Sequence, residues 1–249
     1  MRILWRWNIA MATLHAVQGC LMLALSNGFS LPLSASFLRL DADRGRLVPV
    51  TETLWEIRIG PLVAGFLFLS AVAHLAVTLP PVRVWYERNL TRGLNVARWV
   101  EYSLSASLMI VVIALLVGIY DVATLLTLFA ANTSMILFGL MMELHNESNE
   151  RVRWTPFWLG CAVGAVPWIA IGLYLVGPGS PGGPPGFVYA IYASIFVFFN
   201  VFALNMAAQY ARIGRWRDYV FGEKAYILLS LVAKSALAWQ VFAGTLRPV

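Results

Sequence analysis

The stretch GPGSPGGPPG, residues 177–186, cuts through the longest uncharged block of the chain, 154–211, which contains no Asp, Glu, Lys or Arg. That block is far too long for one helical span of about 20 residues, and prolines and glycines at this density end a helix. It therefore reads as two spans joined by a turn. Four further blocks, 7–38, 59–82, 102–120 and 122–142, are equally free of charge, and 225–246 carries Lys234 alone. The result is seven spanning segments, with approximate bounds 7–27, 53–79, 94–119, 121–145, 154–177, 185–211 and 221–246. With 60% hydrophobic and 12% charged residues, the composition lies outside that of soluble domains, and the short polar connections leave no room for one. The expectation is a single all-α domain over 1–249, a seven-helix bundle embedded in the lipid bilayer.

The arginines give an orientation. The N-terminus (Arg2, Arg6) and the connections after the second, fourth and sixth segments (Arg83, Arg88, Arg92, Arg98; Arg151, Arg153; Arg212, Arg215, Arg217, Lys224) hold twelve basic residues. The other side holds five: Arg39, Arg44, Arg46, Arg58 and Arg247. The positive-inside rule then puts the N-terminus in the cytoplasm and the C-terminus outside. The net charge of +6 is thus a topology signal, and no nucleic-acid partner is expected. Trp5, Trp7, Trp55, Trp85, Trp154 and Trp216 lie near segment ends, where indoles anchor at the interface. The first segment is long enough to span and lacks a convincing small-residue cleavage site, so it reads as a helix and not a secretion signal. Cys20 and Cys161 fall within spans and read as buried packing residues, with neither a disulfide framework nor a metal site expected. The one long connection, about 28–52, has an apolar first part and a DADRGR turn, which suit a small hairpin on the outer surface.

Charge inside the spans is rare. Lys234 sits in SLVAKSALAWQ (230–240), about ten residues from either end of its segment, roughly 15 Å from each interface at 1.5 Å per residue. That is too deep for its ammonium to snorkel out. Only two of the 18 basic residues are lysine, Lys224 and Lys234. Arginine keeps its proton, whereas a buried lysine can lose it and condense with a carbonyl. A buried cation needs an anion, and Glu101, in RWVEYSLSAS (98–107), is the one carboxylate expected at comparable depth. Asp121 and Glu143 fall at segment ends, within reach of water. Ser230, one turn before Lys234, and Ser105, one turn after Glu101, share the faces of that pair and suit either bridging or close packing. His15 and His74 lie several residues inside the same end as Glu101, a pattern that suits a polar, hydrated cavity.

A lysine in the seventh segment facing a carboxylate in the third resembles the microbial-type rhodopsins. RWVEYSLSAS, FFNVFALNMAAQY (198–210) and ILLSLVAKSALAWQVF (227–242), with the N-terminus inside, resemble the heliorhodopsins specifically, over essentially the whole chain. Pumps of the wider group carry a second carboxylate one turn before the lysine and a donor or its replacement eleven residues after the counterion. This chain has Ser230 and Val112 there.

The resemblance implies all-trans retinal on Lys234 through a Schiff base, with Glu101 as the sole counterion and Ser230 and Ser105 tuning it. It places His15 and His74 in a cytoplasmic-side polar cavity, and it implies a homodimer with the hairpin at the dimer surface. Residues that suit a polyene slot, each also readable as plain packing, are Met135 and Gly139 in the fourth segment, Pro167 and Trp168 in the fifth, Phe199 and Phe202 in the sixth, and Trp239 in the seventh. The implied function is a light-sensing, retinal-binding membrane photoreceptor, not an enzyme, with a slow photocycle and no sustained ion pumping. It would address an unknown cytoplasmic signalling partner. Two alternatives stay open: a light-driven proton-conducting channel, and a light-modulated regulator of a cytoplasmic enzyme.

Overall fold

A computed structural model describes residues 2–147, 149, 151–177 and 183–248, so positions 178–182 of the glycine–proline turn lie outside the described residues. The order is α1 (Arg2–Leu25), a hairpin of β1 (Ser30–Asp41) and β2 (Arg46–Arg58), then α2 (Ile59–Ala76), α3 (Pro80–Thr91), α4 (Val96–Leu116), α5 (Val122–Asn146), α6 (Thr155–Val176), α7 (Gly186–Tyr210) and α8 (Tyr219–Val241). A π-helical turn, Phe242–Leu246, extends α8. All but α3 are long and apolar enough to cross a bilayer, seven spans among the described residues. Helices satisfy their own backbone groups, which is what a segment without access to water requires. Asn95, Asp121 and Asp218 accept from backbone N–H groups at the starts of α4, α5 and α8, the usual work of such side chains at a helix N-terminus.

Neighbouring spans pack in chain order from α1 to α6, α7 packs on α8, and α8 closes against α1. Between α6 and α7, the Tyr189 and Tyr192 hydroxyls donate to the backbone carbonyls of Leu175 and Trp168, and the Trp168 ring packs edge-on against Phe196 and Phe199. α4 runs through the middle and touches α2, α5, α6 and α7.

Four local features depart from the sequence pattern. Residues 53–58, expected in the second helix, continue β2 instead. Their alternation pairs Leu31 with Ile57 and Leu33 with Trp55, and Leu31, Leu33 and Ile57 press onto the apolar core. α1 starts at Arg2, several residues before its uncharged stretch, and the connection between the second and third spans forms α3. Cys20 of α1 and Cys161 of α6 are exposed and not buried, and Cys161 borders a cavity beside Lys234, because position within a span sets depth but not face.

The two ends of the bundle differ in chemistry. Toward the hairpin lies a single large apolar core, with Phe66, Met109, Ile113, Ile191 and Leu237 at its centre, and the uncharged pair Ser194 and Gln240 is hydrogen-bonded in the same half. Toward the arginine-rich end the interior holds Asn8, His15, Ser70, Arg98, Glu101, Glu143, Glu223 and Lys234, all buried. Two smaller apolar clusters flank this polar half.

Candidate functional site

The Lys234 side chain runs back along α8 toward its N-terminus, as helical Cα–Cβ geometry dictates. Its ammonium donates to Glu101 Oε1 at 2.7 Å and to Ser230 Oγ at 3.0 Å. Both members of the ion pair are buried, with side chains 3% and 7% exposed. Ser70 of α2 donates its hydroxyl to the same Glu101 oxygen at 2.6 Å. The Tyr102 ring centre is 5.1 Å from the ammonium, within cation–π range. Ser105, one turn after Glu101, is fully buried beside the carboxylate, although its hydroxyl makes no hydrogen bond of good geometry. The well-formed serine bond to Glu101 comes from Ser70, whose sequence context, SAVAH, gives no sign of it.

Behind this pair, the His15 and His74 rings stack with centroids 5.8 Å apart and planes within 9°. His74 Nδ1 lies 2.7 Å from Asn8 Oδ1. Asn8 Nδ2 donates to the Leu4 carbonyl, which leaves Oδ1 as acceptor and His74 Nδ1 as donor. A polar cavity of about 40 Å³ touches Asn8, His74, Tyr86, Asn95, Arg98, Glu101 and Glu223, enough room for water. Burial, aided by the Glu223 charge, pushes the Tyr86 phenol up to about 12, so it stays a donor at the edge of this cavity.

The cavity ends on an ionic cluster. Arg98 bridges Glu143 of α5 and Glu223 of α8, all three buried. Asn95 gives its backbone N–H to Glu143 at 2.7 Å and its amide to Glu223 at 2.6 Å. The guanidinium carbon lies 3.9 Å from the Tyr226 ring centre and 4.5 Å from that of Trp99. Here the sequence pattern misleads. It places Arg98 among the loop arginines and Glu143 where water reaches it, while the fold turns both inward. One signal was available: Arg98 precedes Glu101 by three residues, which puts them on one helix face.

On the other side of Lys234 opens a cavity of about 300 Å³, lined mostly by apolar and aromatic side chains, with Ser230, Asn200 and Cys161 beside the lysine. Met135, Gly139, Trp168, Phe199 and Phe202 border it, as do Trp99, Tyr102 and Tyr226, which the sequence did not single out. Gly139 lies against the Trp99 ring and Gly164 against Met135, so a Cβ at either position would collide. Two residues expected in this wall are elsewhere. Pro167 is buried within α6 but does not border the cavity. Trp239 is turned toward α1, where its indole N–H donates to Gln18 at 3.1 Å. Five residues on from Lys234, it points about 140° away around the helix. An apolar slot walled by rings, with one amine at its end, fits an elongated aldehyde that condenses with that amine. No group of three or more His, Cys, Asp or Glu among the described residues is placed to hold a metal ion.

The sequence model of the family described as Heliorhodopsin matches residues 4–246. Comparison with curated proteins gives no match. Among solved structures, the chain is similar to the transmembrane domain and linker region of Salpingoeca rosetta rhodopsin phosphodiesterase, with a TM-score of 0.70 at 14% identity. The match covers 98% of this chain and 71% of that one. At that identity it speaks for the fold alone, which is that of a rhodopsin transmembrane domain.

Proposed function

Because the chain belongs to the heliorhodopsin family, retinal-binding light receptors that cross the membrane several times, we propose that Lys234 carries all-trans retinal with Glu101 as its counterion. We further infer a slow photocycle without sustained ion pumping. When bound, retinal supplies the visible absorption and the light-driven isomerisation. The protein's share is electrostatic and steric. Glu101, 2.7 Å from the Lys234 nitrogen, favours positive charge there. Ser230 holds the nitrogen and Ser70 the carboxylate. Met135, Gly139, Trp168, Phe199 and Phe202 wall the slot and exclude water.

The one-sided placement of titratable groups carries the no-pumping reading. A proton leaving the Lys234 nitrogen meets Glu101 Oε1 first, and beyond it the His15–His74 pair and the small cavity that leads to Glu223 and Arg98. Toward the hairpin lie Met109, Ile113 and Leu237 of the apolar core, and the polar pair packed in that half among the described residues, Ser194 with Gln240, carries no group that titrates as an acceptor or donor of the proton. Transport needs an acceptor on one side and a donor on the other, so a proton released here returns by the way it left.

The arginine count places the polar half toward the cytoplasm and makes the arginine-rich connections the surface for a cytoplasmic signalling partner. The hairpin then lies outside, where its exposed Phe37, Leu38 and Trp55 suit contact within a homodimer. Purified protein mixed with all-trans retinal should develop a visible band. Illuminated vesicles containing it should show no sustained, uncoupler-sensitive pH change, and a steady flux would favour the proton-conducting alternative.

A further inference from the structure

At the outer edge of the arginine-rich end, away from the lysine site, a second group of basic residues converges. Arg2 and Arg6, one turn apart on α1, and Arg83 of α3 enclose a cleft of about 310 Å³ whose remaining wall is Trp5. The Arg83 guanidinium carbon lies 5.9 Å from the Trp5 ring centre, and its Nε donates to Glu87 at 2.9 Å. Among the described residues no salt bridge engages Arg2 or Arg6, and Glu87 is the one carboxylate bonded to Arg83. Three guanidinium groups therefore share a cleft with a single nearby counter-charge. Their backbones are fixed, because Leu4 is buried with Val77, Tyr86 and Leu90 in a cluster that clamps the first turns of α1 onto α3. The flanks are apolar and outward-facing: Ile3, Val84 and Trp85 are all exposed.

We propose that this cleft binds the phosphate headgroup of one anionic phospholipid, with its acyl chains lying along the Ile3 and Val84 flank. Guanidinium forks match the paired oxygens of a phosphodiester, and indoles sit at headgroup depth. A zwitterionic headgroup fits less well, since its ammonium would face three arginines. Arginines retained for topology alone need only lie in the same connections. These come from two different helices to one cleft, with an indole as its wall.

The test is native mass spectrometry of the full-length, detergent-purified protein titrated with phosphatidylglycerol, phosphatidylcholine or inorganic phosphate. One phosphatidylglycerol should bind at a concentration about tenfold or more below that needed for phosphatidylcholine, and millimolar phosphate should not displace it. Each arginine contributes about fivefold. The triple variant Arg2→Gln/Arg6→Gln/Arg83→Gln should therefore lose about a hundredfold. Arg212→Gln/Arg215→Gln/Arg217→Gln, which removes the same charge elsewhere on the same end, should lose little. Equal affinity for the two lipids, equal loss in both triples, or retention of free phosphate without lipid would each overturn the proposal. Should the first triple fail to give a monodisperse protein, the exposed single variant Arg6→Gln serves. It should lose about fivefold, and unchanged binding there would count against the site.

Discussion

Lys234 and Arg98 are both cations buried in the polar half of the bundle, and their surroundings differ in a way that matches their chemistry. Lys234 has one carboxylate, one hydroxyl and one aromatic face, that of Tyr102, and borders an apolar slot. Arg98 has two carboxylates and two aromatic faces, with Asn95 bonded to both of its carboxylates. A group that must give up a proton is held by one anion, so a single transfer neutralises the pair. A group that must hold helices together is an arginine, which keeps its charge and spreads it over several partners. The comparison separates a reactive ion pair from a structural one that lies on the same side of the bundle, with α4 and α8 contributing to both.

The largest expected effect breaks the comparison at its root. Lys234→Ala should abolish the visible band that wild-type protein forms with retinal, while the protein stays folded. Arg98→Gln should keep that band. An absorption spectrum decides both, and a visible band retained in Lys234→Ala would remove the distinction. Stability should show the converse. Removing Arg98 strands two buried carboxylates, and breaking a buried ion pair from one side costs about 3–5 kcal/mol. Thermal unfolding in detergent should therefore drop far more for Arg98→Gln than for the combined Arg98→Gln/Glu143→Gln/Glu223→Gln variant. A third expectation concerns colour. Glu101→Gln removes the anion beside the Lys234 nitrogen, so the retinal-bearing nitrogen should give up its proton more readily. Where the nitrogen stays protonated, the band should move to the red. Glu223→Gln should leave both nearly unchanged, and a spectrophotometric titration of the two variants separates them.

These differences show which parts of the site sequence could reveal. Lys234 stood out because a lysine so deep in an uncharged helix has few explanations, and Glu101 followed as its partner by depth. The seven spans were legible for the same reason, since blocks without charge leave little else to form. Arg98 was hidden by the rule that made the topology readable, which assigns arginines near span ends to the surface. Its partners lie 45 and 125 residues away in sequence, and only the helix rotations bring them together. Ser70 was one of several small residues on packed faces, and a hydroxyl that bonds a carboxylate looks, in sequence, like one that fills space. Trp239 failed on rotation, since a residue in the correct helix at the correct depth still has to face the slot. The β2 extension over 53–58 was obscured because LWEIRIG joins an apolar run without a break.

The smallest expected effect sharpens the comparison by adding a third ion pair that lies at the surface, with side chains 51% and 26% exposed. Arg92 donates through Nε and an Nη to the two oxygens of Glu147 at 2.6 and 3.0 Å, joining the connection after α3 to the end of α5. These hydrogen bonds hold the Glu147 carboxyl below its usual value and raise Arg92. A carboxylate depressed in the folded state adds stability above its unfolded pKa, and that stability is lost as pH falls through the folded value. The geometry is as good as that of the Arg98 cluster, yet the charges stand in water, where screening and side-chain entropy leave little net gain. Glu147→Gln should therefore lower the thermal midpoint at pH 7 by about a degree or less. The gap should close below about pH 4 and again in about 1 M salt. A loss as large as that of Arg98→Gln would mean that bonding geometry, and not burial, sets the worth of ion pairs in this bundle.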